Sequence, residues 1–350
     1  MILKSILLKD FRNYSKSEFE FTKNTTIIVG PNTSGKSNLI EGIFFLASGK
    51  SFRTEKDENT IRFGHNLARI KGKVNGLELE ALVANSDFNN RAFKKYLING
   101  VSRKRSDFVG NLVCVIFSPQ SLDIIIGSPS QRRRFLDDTL DQIDLQYRLS
   151  SNLYDKSLRQ RNALLQRARE SGIRQKEQFE YWDNLLIDNG QIITKKREEF
   201  IKFINNYKKD IFSFEINYDK SIISKERLLQ YKNEEVDAGV TLVGPHRDDF
   251  FVLMNGKGGQ THDIRFFGSR GQQRLAILQL KAIELAFIDE KIQSRPVFLL
   301  DDIFSELDND HIDLVFKIIS QQQTIITTTH KEFVSRKFLK DVGVIELIRE

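Results

Sequence analysis

The sequence predicts an α/β fold of the P-loop nucleotide-binding class, with an antiparallel β subdomain and an inserted helical lobe. Three observations predict it. A glycine-rich loop, Gly30–Ser37, joins an apolar strand to a helix, and a second apolar strand ends in the paired carboxylates Asp301 and Asp302. Between them, from Gln131 to about Lys220, runs a helix-forming stretch with little glycine and no proline. Residues 1–130 and 241–350 are therefore read as one nucleotide domain, split in sequence by a helical lobe over 131–240.

The elements follow in order. "ILKSILLKDF", "SEFEF" and "TIIVG" read as strands, and "SNLIEGIFFLASG" as the helix after the loop. "ARIKGKV", "LELEALVA" and "KKYLING" read as an antiparallel meander, with Asn99-Gly100 as its hairpin signal because both residues tolerate positive φ. The stretch from Gln131 carries Leu, Ile, Phe and Tyr at helical spacing. Strand and helix patterns then alternate again: "TLVGPHRDDFFVLMNG", the helix "GQQRLAILQLKAIELAFIDEK", the strand "PVFLLDD", a helix near "NDHIDLVFKIISQ" and the strand "TIITTTH".

Composition narrows the class. The 350 residues are 40% hydrophobic and 29% charged, with net charge +7 and pI near 9.2, a balance that favours a polyanionic partner such as nucleic acid. The one cysteine, Cys114, lies in "NLVCVIF" and reads as a small core residue, which excludes disulfides within the chain and cysteine-rich metal sites. "MILKSILLKDF" lacks the apolar core of a signal peptide, and no apolar run approaches a membrane span, so a cytoplasmic protein is expected.

"GPNTSGKS" fits G-x-x-x-x-G-K-[ST] at every fixed position. Backbone N–H groups along Gly30, Pro31, Asn32, Thr33, Ser34 and Gly35, proline excepted, would point inward and form a phosphate cradle with the positive end of the following helix. Lys36 would reach the outer phosphates and the Ser37 hydroxyl would ligate Mg2+. The expected ligand is a nucleoside triphosphate. "PVFLLDD" is expected beside the P-loop strand, with Asp301 holding Mg2+ through water and Asp302 orienting or deprotonating the attacking water.

"GSRGQQR", Gly268 to Arg274, opens a long helix, and Ser269 with Gln272 has capping-box spacing. The helix end is anion-ready with no obvious anion in its own subunit. It is similar to the signature of ABC-type ATPases, which in one protomer closes on the γ-phosphate held by the P-loop of another.

With "ILLKDFRNY", "GPNTSGKSNLIEGIFFLASGKSFR", "INGVSRKR", "FSPQSLDIIIGSPSQRRRFLD", "LVGPHRDDF", "GSRGQQR" and "LLDDIFSELD" in one order from Ile6 to Asp308, the chain resembles the RecF family. These are SMC- and Rad50-like ABC-type ATPases of bacterial recombinational repair and replication restart. The resemblance implies an ABC-type head that binds ATP with Mg2+, with Ser37, Asp301 and Gln120 at the metal and Arg12 and Asn13 in a loop beside the nucleotide. It makes Ser269, Gly271 and Gln272 the signature acting in trans, Ser305 to Asp308 the D-loop, and His330 a switch residue, for which a histidine without a role is the competing reading. It further implies an ATP-dependent head-to-tail homodimer on single-stranded, gapped or junction DNA, weak DNA-dependent ATPase activity, recombinase loading with RecR and RecO, and SOS induction. Thr33 and Arg270 stand where related loops have glycine, and Asp302 where transporters use glutamate; slow turnover, suited to a switch, is the expectation.

Two basic clusters remain: Arg103, Lys104 and Arg105 after a hairpin tip, and Arg132, Arg133 and Arg134 in "QRRRF". Either contacts DNA phosphates or is a solvated face. Three rivals are weaker. An OLD-type ATPase-nuclease needs a further domain after His330, and a Rad50-like tether needs a longer coiled coil and a zinc hook. A small-molecule kinase has no use for the signature helix.

Overall fold

The computed structural model describes residues 1–85, 93–255, 260–303, 318–329 and 342–348. Along the chain lie β1 (Leu3–Phe11), β2 (Tyr14–Glu20), β3 (Thr25–Val29), α1 (Lys36–Ser48), β4 (Leu67–Val74), β5 (Leu77–Ala84), β6 (Phe93–Ile98), β7 (Val101–Arg103), α2 (Arg105–Phe108) and β8 (Cys114–Phe117). Then come α3 (Asp123–Ile126), α4 (Pro129–Ile143), α5 (Leu145–Ser171), α6 (Lys176–Asn206), β9 (Glu215–Asp219), α7 (Lys225–Gln230), α8 (Lys232–Ala238), β10 (Asp249–Asn255), β11 (Thr261–Asp263), α9 (Ile264–Phe267), α10 (Arg270–Ile292), β12 (Val297–Asp301), β13 (Thr324–Thr328) and β14 (Gly343–Glu346). Among the described residues no helix is long and apolar enough to cross a membrane.

The chain divides into two compact units, Met1–Leu122 with Arg274–Glu350, and Asp123–Gln273. Residues 241–273, placed with the nucleotide domain on sequence, thus group with the helical unit, because β10 and β11 form a sheet with β9.

The first unit has a parallel sheet in the order β14-β3-β13-β12-β8. β3, β12 and β13 are buried at every position, as unbroken apolar or threonine-rich runs allow when both faces of a parallel sheet are covered. β12 was expected beside the P-loop strand, and β13 lies between them instead. The second sheet, β2-β1-β4-β5-β6-β7, is antiparallel. Its inner face alternates apolar residues such as Ile6, Leu8, Ile70, Leu79 and Ala81, which share one core with Leu39, Ile43 and Phe44 of α1. Asn99 and Gly100 both take positive φ, 50° and 77°, at the β6–β7 hairpin. Cys114 is buried, as its apolar neighbours predict.

In the second unit, α5 and α6 pack together, joined by a short turn. A 27-residue helix such as α5 spans about 40 Å. β9 falls in a stretch read as helical; Phe214, Ile216 and Tyr218 alternate with polar residues, and that period of two prevails where α6 ends.

"GPHRDD" proves to be the centre of a buried polar network in this unit. Asp248, 0% exposed, accepts from Arg197 Nη1 at 2.8 Å, from the Ser221 amide at 2.7 Å and from the Tyr218 hydroxyl. Asp249 takes a bidentate pair from Arg132, at 2.6 and 2.9 Å. His246 Nε2 faces the Thr241 carbonyl oxygen at 3.1 Å, and Nδ1 faces the Tyr154 hydroxyl at 2.7 Å. A carbonyl only accepts, so Nε2 carries the proton and Nδ1 accepts from Tyr154.

Burial lowers the His246 pKa from 6.5 to about 4. Below about pH 6.5 the unfolded chain takes up a proton that the folded chain refuses until about pH 4. Stability present at pH 7 is therefore lost as pH falls through that window, by ~2 kcal/mol once partial exposure is allowed for. Denaturant midpoints at pH 7 and pH 4.5 check this, and His246→Gln is expected to reduce the difference.

Candidate functional site: a phosphate loop wired to a carboxylate pair

The P-loop leaves β3 and enters α1 through Gly35, whose φ is 97°. A Cβ on Gly35 would sit 2.8 Å from both Asn13 Nδ2 and the Tyr14 hydroxyl, and one on Gly30 would sit 2.6 Å from Ser34 Oγ and 2.8 Å from the Leu347 carbonyl oxygen. Glycine is required at both places by close approach. Thr33 takes φ 72°, the left-handed region that a β-branched residue enters only under strain.

Lys36 is 8% exposed, and its Nζ donates to the carbonyls of Gly30 and Pro31 at 2.7 and 2.9 Å. Burial pushes its pKa below the usual lysine value, against the pull of Asp302 and Asp301. Ser37 Oγ donates to Asp301 Oδ1 at 3.0 Å, and Thr327 Oγ1 donates to the same oxygen at 2.7 Å. Thr327 Oγ1 in turn accepts the Asp302 amide at 3.0 Å. The strand between β3 and β12 thus supplies the hydroxyl that joins the two carboxylate residues. Burial raises the Asp301 pKa, while the bonds from Thr327 and Ser37 oppose it. Asp302 holds φ 53°, turning the chain as it leaves β12.

Arg12, with φ 53°, makes a bidentate pair with Glu41 at 2.9 and 2.5 Å and donates to the Asn59 carbonyl oxygen at 2.6 Å. Glu41 is fully buried and also accepts from Ser51 at 2.5 Å and Arg53 at 3.3 Å. Arg12 is thereby anchored to α1, and Asn13 Oδ1 accepts from Asn38 Nδ2 at 2.7 Å. Asn13, Tyr14, Thr33, Ser34, Leu347 and Ile348 line part of a cleft of about 730 Å3. Gln120 is exposed just past the end of β8, its Oε1 accepting from Ser118 at 3.1 Å. Asp308 of the expected D-loop and the expected switch His330 lie outside the described residues, as does most of the helix expected near Asn309.

At the start of α10 the capping box is formed: the Ser269 amide donates to Gln272 Oε1 at 2.8 Å, and the Gln272 amide to Ser269 Oγ at 3.3 Å. Ser269, Gly271 and Gln272 are exposed.

The basic clusters need correction. Arg132 is 2% exposed and held by Asp249 and the Gly127 carbonyl; Arg133 donates to the Asp248 carbonyl at 2.7 Å, and Arg134 pairs with Asp138 at 3.5 Å. Arg132 and Arg133 are thus engaged within the fold, while Arg134 keeps about a third of its side chain exposed. In the other cluster Arg103 and Lys104 are exposed, but Arg105 donates to the Ser48 carbonyl at 2.6 Å, closing the end of α1. Sequence reasoning missed Thr327, Glu41, Arg53 and Tyr14. A threonine in an apolar strand and a glutamate inside a helix carry no local signal, whereas Arg53 and Tyr14 stood inside quoted motifs.

A magnesium nucleoside triphosphate fits these residues. The loop is closed against side chains but open to phosphate, the buried Ser34 Oγ has no hydrogen-bond partner among the described residues, and a hydroxyl and a carboxylate meet where Mg2+ would be held.

Comparison with known proteins agrees. The family model for the RecF/RecN/SMC N terminal domain matches residues 2–347. The DNA replication and repair protein RecF of Agathobacter rectalis is 36% identical over all of both chains, and that of Bacillus cereus is 34% identical over 99% of this chain and 97% of its own. A solved structure of the recombination mediator protein RecF-ATP in the RecFOR pathway superposes with a TM-score of 0.83 at 32% identity, covering 94% of this chain and 92% of that one. The Smc head domain of Pyrococcus furiosus, at 18% identity over 95% of this chain and 91% of its own, shares the fold with a TM-score of 0.52. A P-loop, a carboxylate strand and a long capped helix on an ABC-type head, matched over the full length at this identity, mean that the chain belongs to the RecF family.

Proposed function

We propose that the chain is an ATP-dependent DNA-binding protein of recombinational repair and replication restart, in which ATP with Mg2+ joins two copies head to tail on DNA and slow hydrolysis releases them. The observation that carries this reading is the bonded line from Ser37 through Asp301 and Thr327 to the backbone amide of Asp302, which supports a site where the phosphate cradle and the proposed proton acceptor stand on linked elements. Ser37 and Asp301, with Gln120 by resemblance, would hold Mg2+, which supplies positive charge to the phosphate oxygens. The exposed cap at Ser269 supports a site completed by a second copy. The strained Thr33 supports a weak ATPase that acts as a switch. A solved relative described as a recombination mediator in the RecFOR pathway supports RecR and RecO as partners; recombinase loading and SOS induction as outcomes, and a cytoplasmic location, rest on the family resemblance alone.

Sheet register supports a path for DNA. Lys16 lies directly opposite Lys9, and Lys9 opposite Arg69; Arg69 faces Leu82, which faces Lys95. Lys9, Lys16 and Lys95 are exposed, and so is Arg69, which pairs with Glu80 at 3.1 Å, so a basic row carried mainly by the three lysines crosses the outer face of five strands. Like charges directly opposite each other destabilise a sheet, and a phosphate backbone lying over them relieves that repulsion. Arg103 and Lys104 lie on the last strand of the sheet and just beyond it.

Changing Lys9, Lys16 and Lys95 together to glutamate is expected to weaken DNA binding without regard to sequence. It should make the salt dependence shallower by about 2–3 units, close to one per lost phosphate contact on duplex DNA. DNA affinity across a salt series with ATP present is the test. An unchanged slope in this variant, with a reduced one in Arg103→Glu/Lys104→Glu, would move the path to the sheet edge; unchanged slopes in both would remove DNA from this face.

A further inference from the structure

Immediately before the signature, Phe266 and Phe267 stand 70% and 66% exposed. They are not loosely held. The Arg265 guanidinium lies 4.3 Å from the Phe266 ring centre, and the His262 ring lies 5.1 Å from that of Phe267. Asp263 caps the short helix that carries them by accepting the Arg265 amide at 2.8 Å. The buried Gln273 pins its backbone, donating to the carbonyls of Ile264 and Arg265 at 3.1 and 3.3 Å. Two adjacent phenylalanines fixed in water are an arrangement a folded chain keeps for a partner, since aromatic anchors already ordered lose little freedom on docking.

The P-loop cleft carries a matching surface. Its lining includes Leu347 and Ile348, the latter 85% exposed, and Phe63, next to the cleft-lining Arg62, is fully exposed. Glu18 and Glu346 also line the cleft, and the exposed Arg270 follows the signature serine, so charge as well as apolar character is complementary. In a two-fold pairing, one copy's signature end meets the other's cleft and the reverse, so both halves must be on every chain.

We propose that Phe266 and Phe267 are the apolar anchor of the interface between two copies of this chain, seating on the partner copy's cleft rim around Phe63 and Ile348. This rests on the paired-head reading above. Phe266→Ala/Phe267→Ala is expected to leave binding of a fluorescent ATP analogue to single copies unchanged and to raise the ATP-dependent dimer Kd at least about tenfold, measured by sedimentation. A benzophenone-bearing phenylalanine at position 267, which keeps an aromatic ring there, is expected to photo-crosslink two copies with ATP and not with ADP, at residues 62–63 or 346–348. A double variant that pairs as tightly as the wild type, or crosslinks absent or mapping elsewhere, overturns the proposal. A wild-type chain that stays monomeric with ATP overturns the paired-head reading itself.

Discussion

Replacing Lys36 with methionine is expected to weaken ATP binding by about 10- to 100-fold, whereas Asp302→Asn leaves binding within about threefold and slows hydrolysis ~10²- to 10⁴-fold. Lys36 is the cation inside the loop, and its ammonium now bonds to the Gly30 and Pro31 carbonyls. Phosphate oxygens would replace those partners with charged ones, and a thioether offers them nothing. Asp302 differs because its place in the site is secured by its backbone amide on Thr327, a bond the asparagine keeps. What the variant loses is a carboxylate able to take a proton. Binding measured by calorimetry and turnover measured by phosphate release separate the two. Equal loss of binding in both would remove Asp302 from its role and make it a ligand-holding residue.

Ser269→Arg is expected to leave ATP binding by single copies within about twofold and to abolish ATP-driven pairing. Ser269 Oγ caps α10 by accepting the Gln272 amide, and removing a serine cap costs about 1 kcal/mol, too little to unfold a chain of this size. The larger effect comes from putting a long cation at an exposed helix end where a second copy's bound triphosphate would have to approach. Sedimentation with ATP, with ADP and without nucleotide reads the outcome. Pairing that survives the substitution would show that copies meet through another surface.

Much of this was legible because the informative features are local. The P-loop, the carboxylate pair and the capping box are each set by a few neighbouring residues, and the structure forms all three. The meander strands followed from alternation, and α1 and α10 from apolar spacing. What escaped depends on partners distant in sequence. Arg132 and Arg133 of "QRRRF" are held within the fold by Asp249 and Asp248, more than a hundred residues away. The place of β13 between β3 and β12 is a matter of strand order, which no local pattern encodes, and with it went the role of Thr327. The basic row Lys16, Lys9, Arg69 and Lys95 is invisible along the chain and exists only through register.

If each ATP site is built from two copies, mixing two defective variants reveals it most directly. Asp302→Asn has an intact signature but no proton acceptor, and Ser269→Arg has an intact P-loop and carboxylate pair but a blocked signature. Each alone is expected to hydrolyse ATP at or near background. In a mixed pair the arginine lies in only one of the two seams, and across the other the P-loop of the Ser269→Arg copy faces the intact signature of the Asp302→Asn copy, so one working site is restored. Phosphate release, measured with DNA present, is expected to rise as the two are titrated together and to peak near equal amounts. A mixture that stays at the sum of its separate components would contradict a site built from two copies.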